Sequence, residues 1–276
     1  MKTSSQTLAR LDRLTRRAWL LIAIALLGSC VPVYAQQPFD PRLTSEVVFE
    51  VLSHPLTTYL RPFFPIFKLI PLALALWLWL KPAAASRWFS RYAGVNLLLT
   101  GVLQNSADTP SYGWVILTGN ILLFGSVAGL WLWESRLQSS YFTVRPLWHR
   151  AWALLPLVLL AFWFPVAPGS LQPAFTINAL LTNEAGLTGC MMLPFYTWFL
   201  LAIYPFVNPV LLRISGWVGV VIAVFNLATF FILKPQYAWL GVLHLPLTVI
   251  SVLALILSFR LPRLQTTEES PFAGKV

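Results

Sequence analysis

Charge is scarce in this 276-residue chain: 10% of its residues are Asp, Glu, Lys or Arg, and only nine are acidic. Cysteine and histidine are scarcer still, at two and three. Each shortage excludes a class of chemistry. Cys30 and Cys190 provide neither a disulfide framework nor a four-ligand metal centre. A bis-histidine haem in a bilayer needs two facing histidines at one depth. His54 and His149 flank apolar runs on opposite sides, which leaves His244 alone. The last apolar run, Ala238 to Phe259, has no lysine to carry the Schiff base of rhodopsin-like photochemistry, and Lys68 near an outer helix end reads as a snorkelling anchor. No Asp, Glu or Arg is predicted near the centre of a span, which argues against a charge-driven proton pump. No paired intramembrane aspartates and no H-E-x-x-H, Walker, dinucleotide-binding or kinase pattern occur.

What the chain has in excess is hydrocarbon. With 58% hydrophobic residues it needs lipid as a solvent, and the expected fold class is an all-α, polytopic transmembrane helical bundle. Nineteen Lys and Arg against nine acids give a net charge of +10. These cations sit in short connections between apolar runs, where they anchor topology; no basic stripe interleaved with aromatics marks a nucleic-acid surface, and no nucleic-acid partner is expected. Thirteen Trp and nineteen Phe, with pairs such as Trp77/Trp79 and Trp131/Trp133 near predicted helix ends, read as aromatic belts.

Residues 1–35 have the layout of a signal peptide: Lys2, Arg10, Arg13, Arg16 and Arg17 against a single Asp12, then the apolar run Trp19 to Leu27. Val33-Tyr34-Ala35 offers a cleavage pattern, while Leu27-Gly28-Ser29-Cys30 resembles the lipobox of bacterial lipoproteins. Alternatively, Ala18 to Ala35 is just long enough to stay as a first membrane anchor. Removal or retention is favoured over lipidation, since a protein with seven further spans gains little from a lipid tether.

Residues 36–62 form an extracytoplasmic segment with a short amphipathic helix, 63–259 the bundle, and 260–276 a cytoplasmic tail. Seven runs fit spans: Phe63 to Leu80, Tyr92 to Ser106, Gly113 to Trp133, Ala151 to Val166, Gly186 to Val207, Ser215 to Leu233 and Ala238 to Phe259. Retention of the first segment makes eight. Lys81, Arg87, Arg91, Arg136, Arg145, Arg150, Arg213, Arg260, Arg263 and Lys275 fall on one side with the N-terminal arginines, which places both termini in the cytoplasm. Gly125 and Gly129 form a G-x-x-x-G pair, and Ser215, Gly219 and Ala223 repeat small residues at helical spacing, so these faces predict close helix approach.

Counted at about 1.5 Å per residue, a polar layer emerges in the outer half. Asn120, Asn226 and His244 share a depth about 10 Å below the surface. Asn96, Thr100 and Gln104 fall on one helical face at i, i+4, i+8 and reach the same half. Such a layer lines a pathway for a small solute, or bonds helices together as glue. The hairpin of the last two runs also makes Asn226 and His244 expected hydrogen-bonding neighbours. Glu46, Glu50 and His54 share a second stripe that could ligate a transition metal or form the solvated face of an interfacial helix. Asp108 and Glu184, in outer connections, could draw a cation toward the layer. The run Asn183 to Met192 is distinctive but suggests no chemistry by itself. Three functions follow as expectations: a small-solute transporter or channel-like protein, a non-catalytic subunit or assembly factor beside other membrane subunits, and a membrane enzyme on a lipid-like substrate. The lipid bilayer is a partner in all three.

Overall fold

A computed structural model describes residues 2–143, 151–167 and 171–264. Arg145, His149, Arg150, Lys275 and the tail beyond Leu264 lie outside the described residues. The chain is mostly helical, as the composition implies. It opens with α1 (Lys2–Thr15) and α2 (Ala18–Cys30), a two-residue strand β1 (Tyr34–Ala35) and α3 (Thr44–Ser53). Then come α4 (Phe64–Leu80), α5 (Pro82–Leu103), strands β2 (Ser106–Thr109) and β3 (Gly113–Ile116), α6 (Thr118–Leu137) and α7 (Leu155–Trp163). Helices α8 (Gly189–Ala202), α9 (Pro209–Ala228), α10 (Ala238–Leu243) and α11 (Leu245–Arg260) complete it.

Every predicted apolar run contains a helix, though the boundaries move for local reasons. Helix α5 starts at Pro82, not near Tyr92, because proline suits the first helical position and an alanine run follows it. Helix α9 starts at Pro209, where Asn208 Oδ1 accepts from the amides of Val210 (3.0 Å) and Leu211 (3.3 Å).

Among the described residues, two helical runs are long and apolar enough to cross a membrane, Pro41–Leu80 and Pro209–Leu233. Two bent pairs raise the total to four if each is one span: Ala179–Leu187 with Gly189–Ala202, bent by 91°, and Pro235–Leu243 with Leu245–Arg260, bent by 49°. The count of seven is therefore not reached by length and composition. Helix α5 carries Arg87 and Arg91 in its first half, α6 carries Glu134 and Arg136, and α7 has nine residues.

Helix α8 is the axis of the fold. All fourteen of its residues are buried, and it packs against α5, α7, α9 and α11. A helix apolar on every face belongs in the interior. Around it α5 pairs with α6 and α9 with α11, while the exposed faces carry large apolar residues, as Leu69, Leu76 and Leu80 do on α4.

Three packing expectations are corrected. A Cβ at Gly125 or Gly129 would meet nothing within 4 Å, so that pair makes no close approach. The tight contacts are at Gly119, where a Cβ would overlap the Gly28 carbonyl of α2, and at Gly216, 2.7 Å from the Leu255 amide nitrogen of α11. Gly219, from the predicted stripe, does abut the Ser251 side chain. Trp131 is not in a belt: it is fully buried against Phe89 and Tyr196. Lys68 does not snorkel, as its geometry below shows.

The helix ends sort into two groups. At one end Ser86 meets Gln138, Glu134 meets Asn208, and Arg213 meets Asp12 and Ser258. At the other, β1-β3-β2 form an antiparallel sheet with Tyr34 opposite Ile116 and Ala107 opposite Val115. Helix α3 sets Val47 and Val51 onto Ala107, Val115 and Leu117 to make a small separate core there.

Candidate functional site

The polar layer gathers where helices break. At Thr188 the chain turns from the short helical stretch Glu184–Leu187 into α8, and backbone groups lose their helical partners. Helix α5 supplies replacements. Asn96 Nδ2 donates to the Gly186 carbonyl (2.9 Å), and the Tyr196 hydroxyl donates to Asn96 Oδ1 (3.0 Å). Two turns on, Gln104 Oε1 accepts from the Gly189 amide (2.8 Å). From the other side, Asn226 Nδ2 donates to Cys190 Sγ (3.7 Å) and to the Ile222 carbonyl (2.9 Å). The distinctive run Asn183 to Met192 is thus the segment that Asn96, Gln104 and Asn226 hold. Glycine is needed there: a Cβ at Gly186 would come within 2.7 Å of the Phe67 carbonyl, and one at Gly189 would enter the Phe124 ring.

The remaining candidates serve neighbouring backbone. Asn120 Nδ2 donates to Asn105 Oδ1 (2.8 Å), and Asn105 Nδ2 donates to the Gly101 carbonyl at the end of α5 (2.9 Å). His244 sits at the second break, between α10 and α11; its Nδ1 is 2.7 Å from the Leu240 carbonyl and its ring lies against Phe230. The expected Asn226–His244 bond is not formed, since each side chain reaches back to a carbonyl four residues earlier on its own helix. Of the six candidates in the layer, Thr100 is the one whose buried polar atom has no hydrogen-bond partner.

Lys68, wholly buried, caps the end of α7. Its Nζ donates to the carbonyls of Phe162 (2.6 Å) and Ala179 (3.1 Å), and Asn183 Nδ2 donates to those of Trp163 (2.5 Å) and Phe164 (2.7 Å). A cation at a helix C-terminus satisfies orphaned carbonyls and the helix dipole together. A single cation inside an apolar run is the sequence signal that snorkelling obscured.

The second stripe is dispersed. Glu46 pairs with Lys234 (2.8 Å), Glu50 Oε1 accepts from the Ser111 amide (3.0 Å), and His54 Nδ1 lies 3.2 Å from the Glu50 carbonyl. No group of three His, Cys, Asp or Glu among the described residues could hold a metal ion.

Two buried charged clusters escaped the sequence reading. Glu134 Oε2 accepts from Ser139 Oγ (2.7 Å) and Asn208 Nδ2 (2.8 Å), and its Oε1 from the Ser140 amide (2.7 Å). Arg213, wholly buried, donates to Asp12 Oδ1 (3.0 Å), Thr15 Oγ1 (2.6 Å) and the Ser258 carbonyl (3.2 Å). The signal for the latter was Asp12 itself, the only acid among the basic residues of the N-terminal segment.

A cavity of about 210 Å³ lies between α4, α7 and α8, and Phe162, whose carbonyl accepts from Lys68, is part of its wall. Leu72, Leu78, Trp79, Leu159, Phe195 and Phe199 are among its lining residues, which are all apolar or aromatic. The class these features define is a mostly helical protein with, among the described residues, two to four helices long and apolar enough to cross a membrane. No family model, curated protein or solved structure matches the chain.

Proposed function

We propose that the chain is a multi-pass membrane protein in which α4 to α9 and the bent pair α10–α11 make seven crossings, α2 is retained as an eighth, and both ends are cytoplasmic. Support for retention is physical. Removing residues 1–35 would strip Asp12 and Thr15 from a buried arginine, take β1 from its sheet, and expose the α6 surface packed on Gly28. Support for the orientation is the segregation of helix ends, which follows the predicted alternation of Lys and Arg.

Within that architecture the protein serves as a non-catalytic subunit of a larger membrane assembly. One observation carries this reading: Asn96, Gln104, Asn120, Asn226 and His244 are all engaged in internal hydrogen bonds, the first four to other segments and His244 to its own turn, so the polar layer is spent on the protein itself. The test is extraction from the native membrane with its surrounding lipid, followed by mass spectrometry of the intact complex. Other membrane polypeptides at fixed stoichiometry are expected. A lone monodisperse species that moves a solute into vesicles sinks the proposal.

A small-solute transporter is the second reading, favoured by the 91° break at Thr188. Discontinuous helices with polar surroundings are how transporters expose backbone groups to substrates. Solute-dependent quenching of fluorescence from Trp131, close to Tyr196, is the outcome that would prefer it.

A further inference from the structure

Helix α1 turns its one acid inward. Leu8, Asp12 and Thr15 lie at i, i+4, i+7 and are buried against the bundle. Arg16 at the margin is consumed: its Nε bonds Asp12 (3.2 Å) and its terminal nitrogens the carbonyls of Phe259 (3.2 Å) and Leu261 (2.7 Å). The charge that remains on the outer face is all positive. Arg10, Arg13 and Arg17, at i, i+3, i+7, are exposed and take part in no ion pair among the described residues. With half-buried Leu14 they line a groove of about 220 Å³. Helix α2 starts at the next residue and exposes Trp19, Ile22, Leu26 and Leu27, so the groove lies where apolar surface gives way to charge.

We propose that this groove binds the phosphate of an anionic phospholipid of the cytoplasmic leaflet, with Leu14 against the lipid's glycerol and upper acyl region. Guanidinium groups hold phosphate through paired, charge-assisted hydrogen bonds. The apolar neighbours select a lipid over a free anion. The proposal rests on the retained N-terminus and membrane reading given above. Because α1 is bolted to α9 and α11 through Asp12 and Arg16, its basic face has a fixed aim, unlike that of a loose basic tail.

The experiment uses the full chain in phosphatidylcholine nanodiscs with or without phosphatidylglycerol, and native mass spectrometry counts retained lipid. Intact mass first establishes whether residues 1–35 are present; their absence overturns the retained N-terminus, a failure distinct from absent lipid selectivity. With them present, phosphatidylglycerol is retained over phosphatidylcholine, and the combined Arg10→Gln, Arg13→Gln, Arg17→Gln variant weakens that retention by about tenfold or more. Arg13→Gln alone, in the centre of the groove, gives a smaller loss and guards against misfolding of the triple variant. Equal loss in an Arg87→Gln, Arg91→Gln control on α5 overturns the proposal, since any cytoplasmic cation would then serve. Displacement of the lipid by millimolar inorganic phosphate also overturns it, by making the groove a free-anion site.

Discussion

Asp12 and Arg213 are 201 positions apart and meet at 3.0 Å, with neither side chain exposed to solvent. Removing one partner of such a pair leaves an uncompensated buried charge, whereas replacing both with apolar residues is often neutral. Asp12→Leu or Arg213→Met should each lower stability by about 3–5 kcal/mol, and the two together should restore most of it. Thermal unfolding of the four proteins in one detergent gives the coupling. Independent, additive losses would mean that the pair does not form.

The α5 stripe makes a prediction with opposite signs. Asn96→Leu strands the Gly186 carbonyl and Gln104→Leu the Gly189 amide, each costing about 1–3 kcal/mol. Thr100 lies between them, but its hydroxyl is already without a partner. Thr100→Val, close in shape, should be neutral or slightly stabilising. The melting temperatures of the Asn96 and Gln104 variants should therefore fall below that of the parent, and that of the Thr100 variant should match or slightly exceed it.

Glycine positions separate in the same way. Gly119→Ala drives a methyl group into the Gly28 carbonyl and should cost about 1–3 kcal/mol, because backbone must move on both helices. Gly125→Ala and Gly129→Ala meet open space and should fall within about 0.5 kcal/mol of the parent, or gain from better helix propensity. Denaturation of the single variants decides it; a large loss at Gly125 would overturn the open face at that position, and none at Gly119 would overturn the α2–α6 packing described above.

Glu134→Ala removes the acceptor of three short hydrogen bonds and should destabilise by about 3 kcal/mol or more. The exposed Glu46–Lys234 pair is a useful contrast: Glu46→Ala should cost less than about 1 kcal/mol and lose even that in high salt.

Periodicity and apolar length made the helical class and each helix-bearing run legible, because a bilayer-length apolar stretch has few other solutions. They misread Gly113 to Ile116 as the start of a span. Trp114, Val115 and Ile116 are apolar, but Gly113 takes a positive φ of 63° and turns the chain back into an antiparallel pair. The i, i+4, i+8 stripe of Asn96, Thr100 and Gln104 was visible, and so was the oddity of Asn183 to Met192. That one grips the other was not visible, because spacing within a helix says nothing about which remote segment it faces. Equal depth misled for His244 and Asn226: each satisfied its own helix first, since a carbonyl four residues back is always within reach.

Helix α8 has no face left for lipid, and this bears on the order of assembly. A helix that ends up surrounded by protein must enter the membrane before its neighbours have closed, or wait in lipid until they do. Helices α5 to α7 precede it in the chain, while α9 and α11, which complete its enclosure, are made afterwards. In the proposed multi-pass architecture the bundle would therefore be sealed late: the last two crossings would act as the closing wall, and the α1 anchor on Arg213 would lock only once α9 had arrived.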